Sequence, residues 1–184
     1  DTSDKGISAC LYALNVRSIL RSFATIESPL WEVAVKSNNL FCLDTQESGF
    51  FVTSWMASFD KDNKRLCYTS CGHYPALIRR ANGEIVELNT SGIALGVETL
   101  KEVKTDYVTL EKGDYLFLYT DGILDATDID KKVYGKNRLY DFMKNIKPES
   151  SSIIIKNLLD DIKSHTKGAE QSDDLTALLI KIDY

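Results

Sequence analysis

Three short stretches, far apart in the chain, each place aspartate at an expected turn: Asp1-Thr2-Ser3-Asp4-Lys5-Gly6, Tyr119-Thr120-Asp121-Gly122 and Ser172-Asp173-Asp174-Leu175-Thr176. A carboxylate beside glycine or a tight turn, next to an apolar run, is poorly explained by packing. Carboxylate oxygens from separate stretches suit a hard divalent cation, and Mg²⁺ or Mn²⁺ need few of them because they retain several waters. Two such ions can activate and orient a water for in-line attack on phosphorus, so no side chain need act as nucleophile. This chemistry predicts a metal-dependent hydrolase of phosphate esters. Each site taken alone also has a plain local reading, since Asp-Gly is a common turn and aspartate before a strand a common cap.

Other catalytic schemes fail on spacing. Neither Cys10 with Arg17 nor Cys71 with Arg79 has the separation of a cysteine-phosphatase loop. No Walker-type loop and no G-x-S-x-G elbow occurs. Only His73 and His165 are present. His73, between Gly72 and Tyr74-Pro75, reads as a turn residue, and His165 as a helix C-terminal residue that favours the dipole.

The elements that must position these residues follow from hydrophobic period. Residues 8–24 read as a helix with Tyr12, Val16, Ile19 and Phe23 on one stripe and Ala9, Ala13 and Leu20 beside it. Ser28-Pro29 reads as an N-cap followed by proline at the first position of a second helix, ending near Phe41. Strands are expected at 50–59, 65–71, 75–80 and 84–88, the last two flanking Asn82-Gly83, the strongest short hairpin signal. Residues 103–110 and 115–120, joined by a Lys112-Gly113 turn, are expected to pair with each other. Two further helices precede a closing strand at 175–182: 137–146, with Leu139, Phe142, Met143 and Ile146 at helical spacing, and 151–165, with Ile154, Leu158, Asp161 and Ile162 at that spacing and Ser150 to Ser152 as candidate caps. Strands in meanders with helices grouped apart from them indicate α+β.

The 184 residues suit a single domain spanning 1–184, with 43% apolar and 27% charged residues, as in an ordinary globular protein. A net charge of −5 without a basic run argues against nucleic acid as the main partner. No apolar run is long enough to span a membrane. The four cysteines, with no C-x-x-C pair, read as reduced, buried thiols in a cytosolic protein rather than a zinc site.

The motifs as a set resemble the PPM-type protein phosphatases, specifically the bacterial SpoIIE-like and RsbU-like serine/threonine phosphatases. Residues 1–9 resemble the family's D-x-S-G-K-G-I-P-A segment, Phe51-Val52-Thr53 its F-V-T strand, and Cys71-Gly72-His73-Tyr74-Pro75 its A-G-H-x-P motif. Gly92-Ile93-Ala94-Leu95-Gly96 resembles G-x-P-L-G, and residues 113–122 resemble G-D-x-L-x-L-Y-T-D-G. Tyr134-Gly135 with Arg138-Leu139 resembles F-G-x-x-R-L, and residues 173–176 resemble D-D-x-T. The matches keep family order over essentially the whole chain.

The resemblance implies an α-β-β-α sandwich of two antiparallel sheets flanked by helices, with two Mn²⁺ or Mg²⁺ ions. It implies that Asp1 bridges both ions beside the Thr2 carbonyl, and that Asp121 and Asp173 complete their shells, Asp174 being the lesser candidate of its pair. The implied substrate is phosphoserine or phosphothreonine on a STAS-type anti-sigma-factor antagonist or a similar phosphoprotein. The implied setting is a C-terminal output domain, cytoplasmic, joined to a sensor or receiver domain that could itself be membrane-anchored. Two departures stand out. Asp4 occupies a glycine position of the first motif, adding negative charge and, where φ is positive, strain. The strands that precede the first aspartate in the family have no counterpart here, so an N-terminally truncated domain is expected. Two rival readings are a degraded PPM-like module that binds a signalling partner without turnover, and an unrelated α+β domain whose Asp-Gly turns are only turns.

Overall fold

The computed structural model describes residues 1–25, 27–45, 48–171 and 173–184. It divides into two compact units: Asp1–His73 with Asn89–Thr109, and Tyr74–Leu88 with Leu110–Tyr184. Each has one antiparallel sheet and its own helices.

The first unit contains α1 (Gly6–Phe23), α2 (Leu30–Thr45), β1 (Ser54–Asp60), β2 (Arg65–Cys71) and β5 (Asp106–Thr109), with sheet order β1-β2-β5. The expected stripe of α1 is the one that packs. Val16 and Ile19 are buried with Ala34, Phe41, Val52, Cys71 and Leu95, and Tyr12, Leu20 and Phe23 lean on that cluster. The Tyr12 ring meets Phe41 edge-on at 6.0 Å and stacks on Phe50 at 4.5 Å. Helix α2 runs about a turn beyond its expected end because its polar residues are spent on a loop. Asn38 Nδ2 donates to Glu98 O (2.8 Å), Asn38 Oδ1 accepts Gly96 N–H (3.0 Å), and Asn39 brackets Leu100 through its N–H and its carbonyl (both 2.8 Å). Thr45 Oγ1 donates to Gly96 O (2.8 Å). Pro29 precedes α2 rather than opening it, and its carbonyl accepts the N–H groups of Glu32 and Val33.

The second unit contains β3 (Ala76–Arg79), β4 (Ile85–Leu88), β6 (Tyr115–Tyr119), α3 (Asp121–Leu124), α4 (Gly135–Lys144), α5 (Ser151–His165) and β7 (Ala177–Lys181), with sheet order β4-β3-β6-β7. Leu77, Phe117 and Leu179 come from three adjacent strands. They share a core with Leu139 and Met143 of α4 and Ile154, Leu158 and Ile162 of α5. The β3–β4 hairpin closes at Asn82-Gly83: Arg80 N–H donates to Glu84 O (2.8 Å) and Asn82 Oδ1 accepts Glu84 N–H (2.9 Å). Ser150 sits at the N-cap of α5 without a capping bond to the helix.

One expected pairing is overturned. Residues 103–110 and 115–120 do not form a hairpin, for β5 pairs with β2 while β6 pairs with β3 and β7. The Lys112-Gly113 turn exists, but the buried Asp114 carboxylate ties it to other segments. It takes Arg80 Nη1 (2.6 Å) and the N–H groups of Ala81 (3.3 Å) and Glu111 (2.9 Å), while Gly113 N–H donates to Ile182 O (2.8 Å). The thiols also divide: Cys42 and Cys71 are buried, Cys67 is half-buried and Cys10 is exposed. Burial pushes the Cys71 thiol up to about 11, so it stays protonated and inert.

Among the described residues no helix is long and apolar enough to cross a membrane.

Candidate functional site

The second and third aspartate stretches meet at one end of the second unit's sheet. Strands β6 and β7 are antiparallel with Tyr119 opposite Ala177, so the residues after Tyr119 and those before Ala177 leave the sheet together. Thr120 N–H donates to Thr176 O (3.2 Å), and Thr120 Oγ1 accepts Thr176 N–H (3.3 Å). Asp121 then opens the one-turn α3, and its carbonyl accepts Asp125 N–H (2.8 Å). The Asp121-Gly122 step is therefore the first turn of a helix rather than a free turn. Glycine is required at 122 by the chain itself. A Cβ there would lie 2.1 Å from Asp174 O and 3.6 Å from the Asp173 Cβ, so any side chain would force the two segments apart. The glycine here serves a close approach of backbone to backbone.

Asp121 and Asp173 are both half-buried, and Asp174 is exposed. Asp173 Oδ1 accepts Asp174 N–H (2.9 Å), and Asp173 O accepts Gln171 Nε2 (2.7 Å). The first of these bonds orients the Asp173 carboxylate, and the second holds its backbone carbonyl. Ser172, part of the same stretch, lies outside the described residues.

In the first unit, residues 1–3 lie antiparallel to residues 51–53. Asp1 N donates to Thr53 O (2.8 Å), Thr53 N–H to Asp1 O (2.7 Å) and Ser3 N–H to Phe51 O (2.9 Å). Thr2 and Val52 face each other between those bonds as a non-hydrogen-bonded pair, which turns the Thr2 carbonyl away from the 51–53 segment. Asp4 takes the left-handed conformation at φ 67° and accepts Lys5 N–H at 2.8 Å. Ordinary L-residues pay roughly 1–2 kcal/mol there, and the short local bond is what lets aspartate tolerate it. Helix α1 begins two residues later, at Gly6. His73 shares a 2.8 Å bond between Nδ1 and Thr53 Oγ1, and its carbonyl accepts Ser70 Oγ at 2.9 Å, so it braces the F-V-T segment.

Among the described residues no group of three or more His, Cys, Asp or Glu side chains is gathered as a metal cluster. The pair Asp121 and Asp173 offers oxygen donors only. That fits Mg²⁺ or Mn²⁺, which take one or two carboxylates and keep their waters, and not zinc, which favours nitrogen and sulfur.

A family model, Stage II sporulation protein E (SpoIIE), matches residues 1–183. The chain belongs to the SpoIIE family. This SpoIIE-family chain is 22% identical over 182 residues to the phosphoserine phosphatase RsbU of Bacillus subtilis, covering 98% of this chain and 53% of RsbU. In fold it is similar to the SiaA-PP2C domain of Pseudomonas aeruginosa, with TM-score 0.85, 16% identity and coverage of 100% of this chain and 73% of that one. It is similar also to the manganese-presoaked phosphatase domain of SpoIIE from Bacillus subtilis, with TM-score 0.62, 19% identity and coverage of 98% and 74%. At such identities the likeness shows the fold: two antiparallel sheets with helices, as in the PPM phosphatases. The chain spans about half or less of the length of the curated relatives it matches.

Sequence reasoning passed over two features of this region. Tyr74 lies beside Tyr119 with ring centroids 6.0 Å apart. Asp125, one turn beyond Asp121, is exposed. An aromatic at the variable position of a G-H-x-P motif was the signal for the first, and i,i+4 spacing on a helix for the second.

Proposed function

We propose that this chain is a metal-dependent phosphoprotein phosphatase that hydrolyses phosphoserine or phosphothreonine on a bacterial regulatory protein. The observation that carries the reading is the arrival of Asp121 and Asp173 at one end of β6 and β7, in a chain matched by the SpoIIE family over residues 1–183. In this reading Asp121 and Asp173 give one carboxylate each to divalent ions, and Asp1 and the Thr2 carbonyl are ligands by their place in the first motif. Bound there, Mn²⁺ or Mg²⁺ would supply Lewis-acid polarisation of the phosphoryl group and a water activated at neutral pH. The chain's own contribution is to hold the donors. Thr120 locks the two strand ends together, Gly122 allows their close approach, and the Asp174 N–H orients Asp173. The proposed substrate is a phosphorylated STAS-type anti-sigma-factor antagonist or similar phosphoprotein, a reading supported by the resemblance to RsbU.

Phosphate release from a phosphoserine peptide, with Mn²⁺ and with chelator, tests this. Asp121→Asn and Asp173→Asn should each lower turnover by at least about 100-fold, the scale of losing a group that stabilises charge in the transition state, while the circular dichroism spectrum is kept. Turnover that survives chelator or either substitution would sink the reading. No turnover together with weak or absent Mn²⁺ binding by calorimetry would favour the partner-binding module instead, whereas Mn²⁺ binding without turnover would mark a phosphatase that its partner must switch on.

A further inference from the structure

We propose that Tyr74 is a substrate-contacting residue: its ring receives a basic side chain flanking the phosphorylated residue. The inference rests on the phosphatase reading for what the substrate is, and on the second unit alone for its geometry.

Tyr74 sits just before β3. In the β3–β6 ladder Leu77 lies opposite Phe117, Ile78 opposite Leu116 and Arg79 opposite Tyr115. Continuing that register outward brings Tyr74 to the level of Thr120, immediately before Asp121. The ring is held there by Tyr119, with centroids 6.0 Å apart and planes inclined by 31°. Tyr119 is itself stacked on Phe117 at 5.4 Å and only 3% exposed, so it is a fixed backing. Tyr74 nevertheless remains 41% exposed. A large aromatic with one side braced by the core and much of its surface open is a rigid recognition surface that loses little entropy on binding.

The charge around the ring selects the guest. Asp125 and Asp121 are the carboxylates that bear on the Tyr74 phenol, which burial first, and these charges second, push above its ordinary value. The ring therefore stays neutral and electron-rich. A lysine or arginine over such a face gains from the ring quadrupole as well as from the Asp125 carboxylate, Asp121 being taken up by the ion it would hold, and an acidic side chain is repelled by Asp125. Asp125 lies outside the proposed ligand set and is exposed, so it is available to this contact.

The test uses peptides carrying a non-hydrolysable phosphonate analogue of phosphoserine, flanked by Arg or by Glu, titrated in Mn²⁺ and read by fluorescence anisotropy. Orthophosphate inhibition and turnover of the matching phosphopeptides are measured beside it. The Arg-flanked peptide should bind more tightly than the Glu-flanked one. Tyr74→Ala should weaken the Arg-flanked peptide about fivefold, an exposed cation–π contact, and raise its KM with kcat within about twofold. Orthophosphate inhibition should not change, and Tyr74→Phe should keep the Arg preference. Equal affinity for the two peptides, an unchanged Tyr74→Ala, or an equal loss for peptide and orthophosphate would overturn the proposal. A variant that lowers only the melting temperature would mark Tyr74 as packing and overturn it too. Preserved Arg preference in a wild-type chain that turns over no phosphopeptide would sink the phosphatase reading while leaving the contact standing.

Discussion

Single side chains decide more here than their exposure suggests. Asp114 is 1% exposed and gathers Arg80 and two backbone N–H groups that belong to different segments. Replacing it with alanine removes the acceptor that the half-buried Arg80 guanidinium shares with the Ala81 and Glu111 N–H groups. Loss of one member of a buried pair costs about 3–5 kcal/mol, so Asp114→Ala should lower the unfolding free energy measured in urea by up to that much, and the midpoint with it, with Asp114→Asn losing less because it keeps an acceptor. An unchanged midpoint for the alanine variant would show that the cluster is not a structural tie. Burial likewise pushes the Tyr119 phenol up to about 12, leaving a neutral ring as backing for Tyr74 at any physiological pH.

Among the elements, α5 is tied to α4 and the segment before it by a polar cluster rather than by packing alone. Arg138 grips Asp161 through Nε (3.1 Å) and Nη2 (2.7 Å), and Tyr134 Oη donates to the same carboxylate at 2.6 Å. His165 joins them: Nε2 donates to Lys132 O (3.0 Å), which leaves Nδ1 to accept from Arg138 Nη1 (3.2 Å). The hydrogen bond from Arg138, and then that from Tyr134, hold the Asp161 carboxyl below its ordinary 3.8 against the opposing effect of burial. A carboxyl lowered in the folded state adds stability that is fully present above its unfolded value and is lost as pH falls through the folded one. The wild-type urea midpoint should therefore drop between about pH 5 and pH 3, and Asp161→Asn should be less stable at pH 7 and show a flatter slope over that range. Parallel slopes for the two proteins would remove Asp161 from the acid sensitivity. Sequence reasoning placed Leu158 and Ile162 on the buried stripe correctly, because that follows from period. It saw Asp161 only as a stripe member and His165 only as a dipole partner, because the Arg138 that organises them lies on another helix.

At the scale of the whole molecule, neither compact unit is a continuous piece of chain. The second takes its β3–β4 hairpin from residues 74–88 and everything else from 110–184. Strand β3 stands between β4 and β6, so a 110–184 fragment keeps only the β6–β7 pair of a four-stranded sheet. An isolated two-stranded pair is marginal in water, and Phe117 and Tyr119 would lose the strand that covers them. The fragment should show no cooperative thermal transition by circular dichroism, and adding the 74–88 peptide should restore helical signal. A sharp melt of the fragment alone would refute this account of the fold. The same interleaving explains the one topological error of the sequence reading. Residues 103–110 and 115–120 look like a hairpin locally, yet they belong to different units and different sheets.

Local chemistry was legible in the chain itself. Helix stripes, the Asn82-Gly83 hairpin and the three aspartate stretches at turns follow from period and turn chemistry, which act over a few residues, while the assignment of Asp1, Asp121 and Asp173 as ligands rests on the resemblance of the ordered motifs to the family. Tertiary structure alone decided that β5 pairs with β2 and β6 with β3 and β7, that Gly122 is glycine because Asp174 O lies where its side chain would be, and that Tyr74 stands beside Tyr119 at the edge of the candidate site. These depend on contacts between residues dozens of positions apart, and such contacts are set by how the sheets and helices bury their apolar faces rather than by any local pattern.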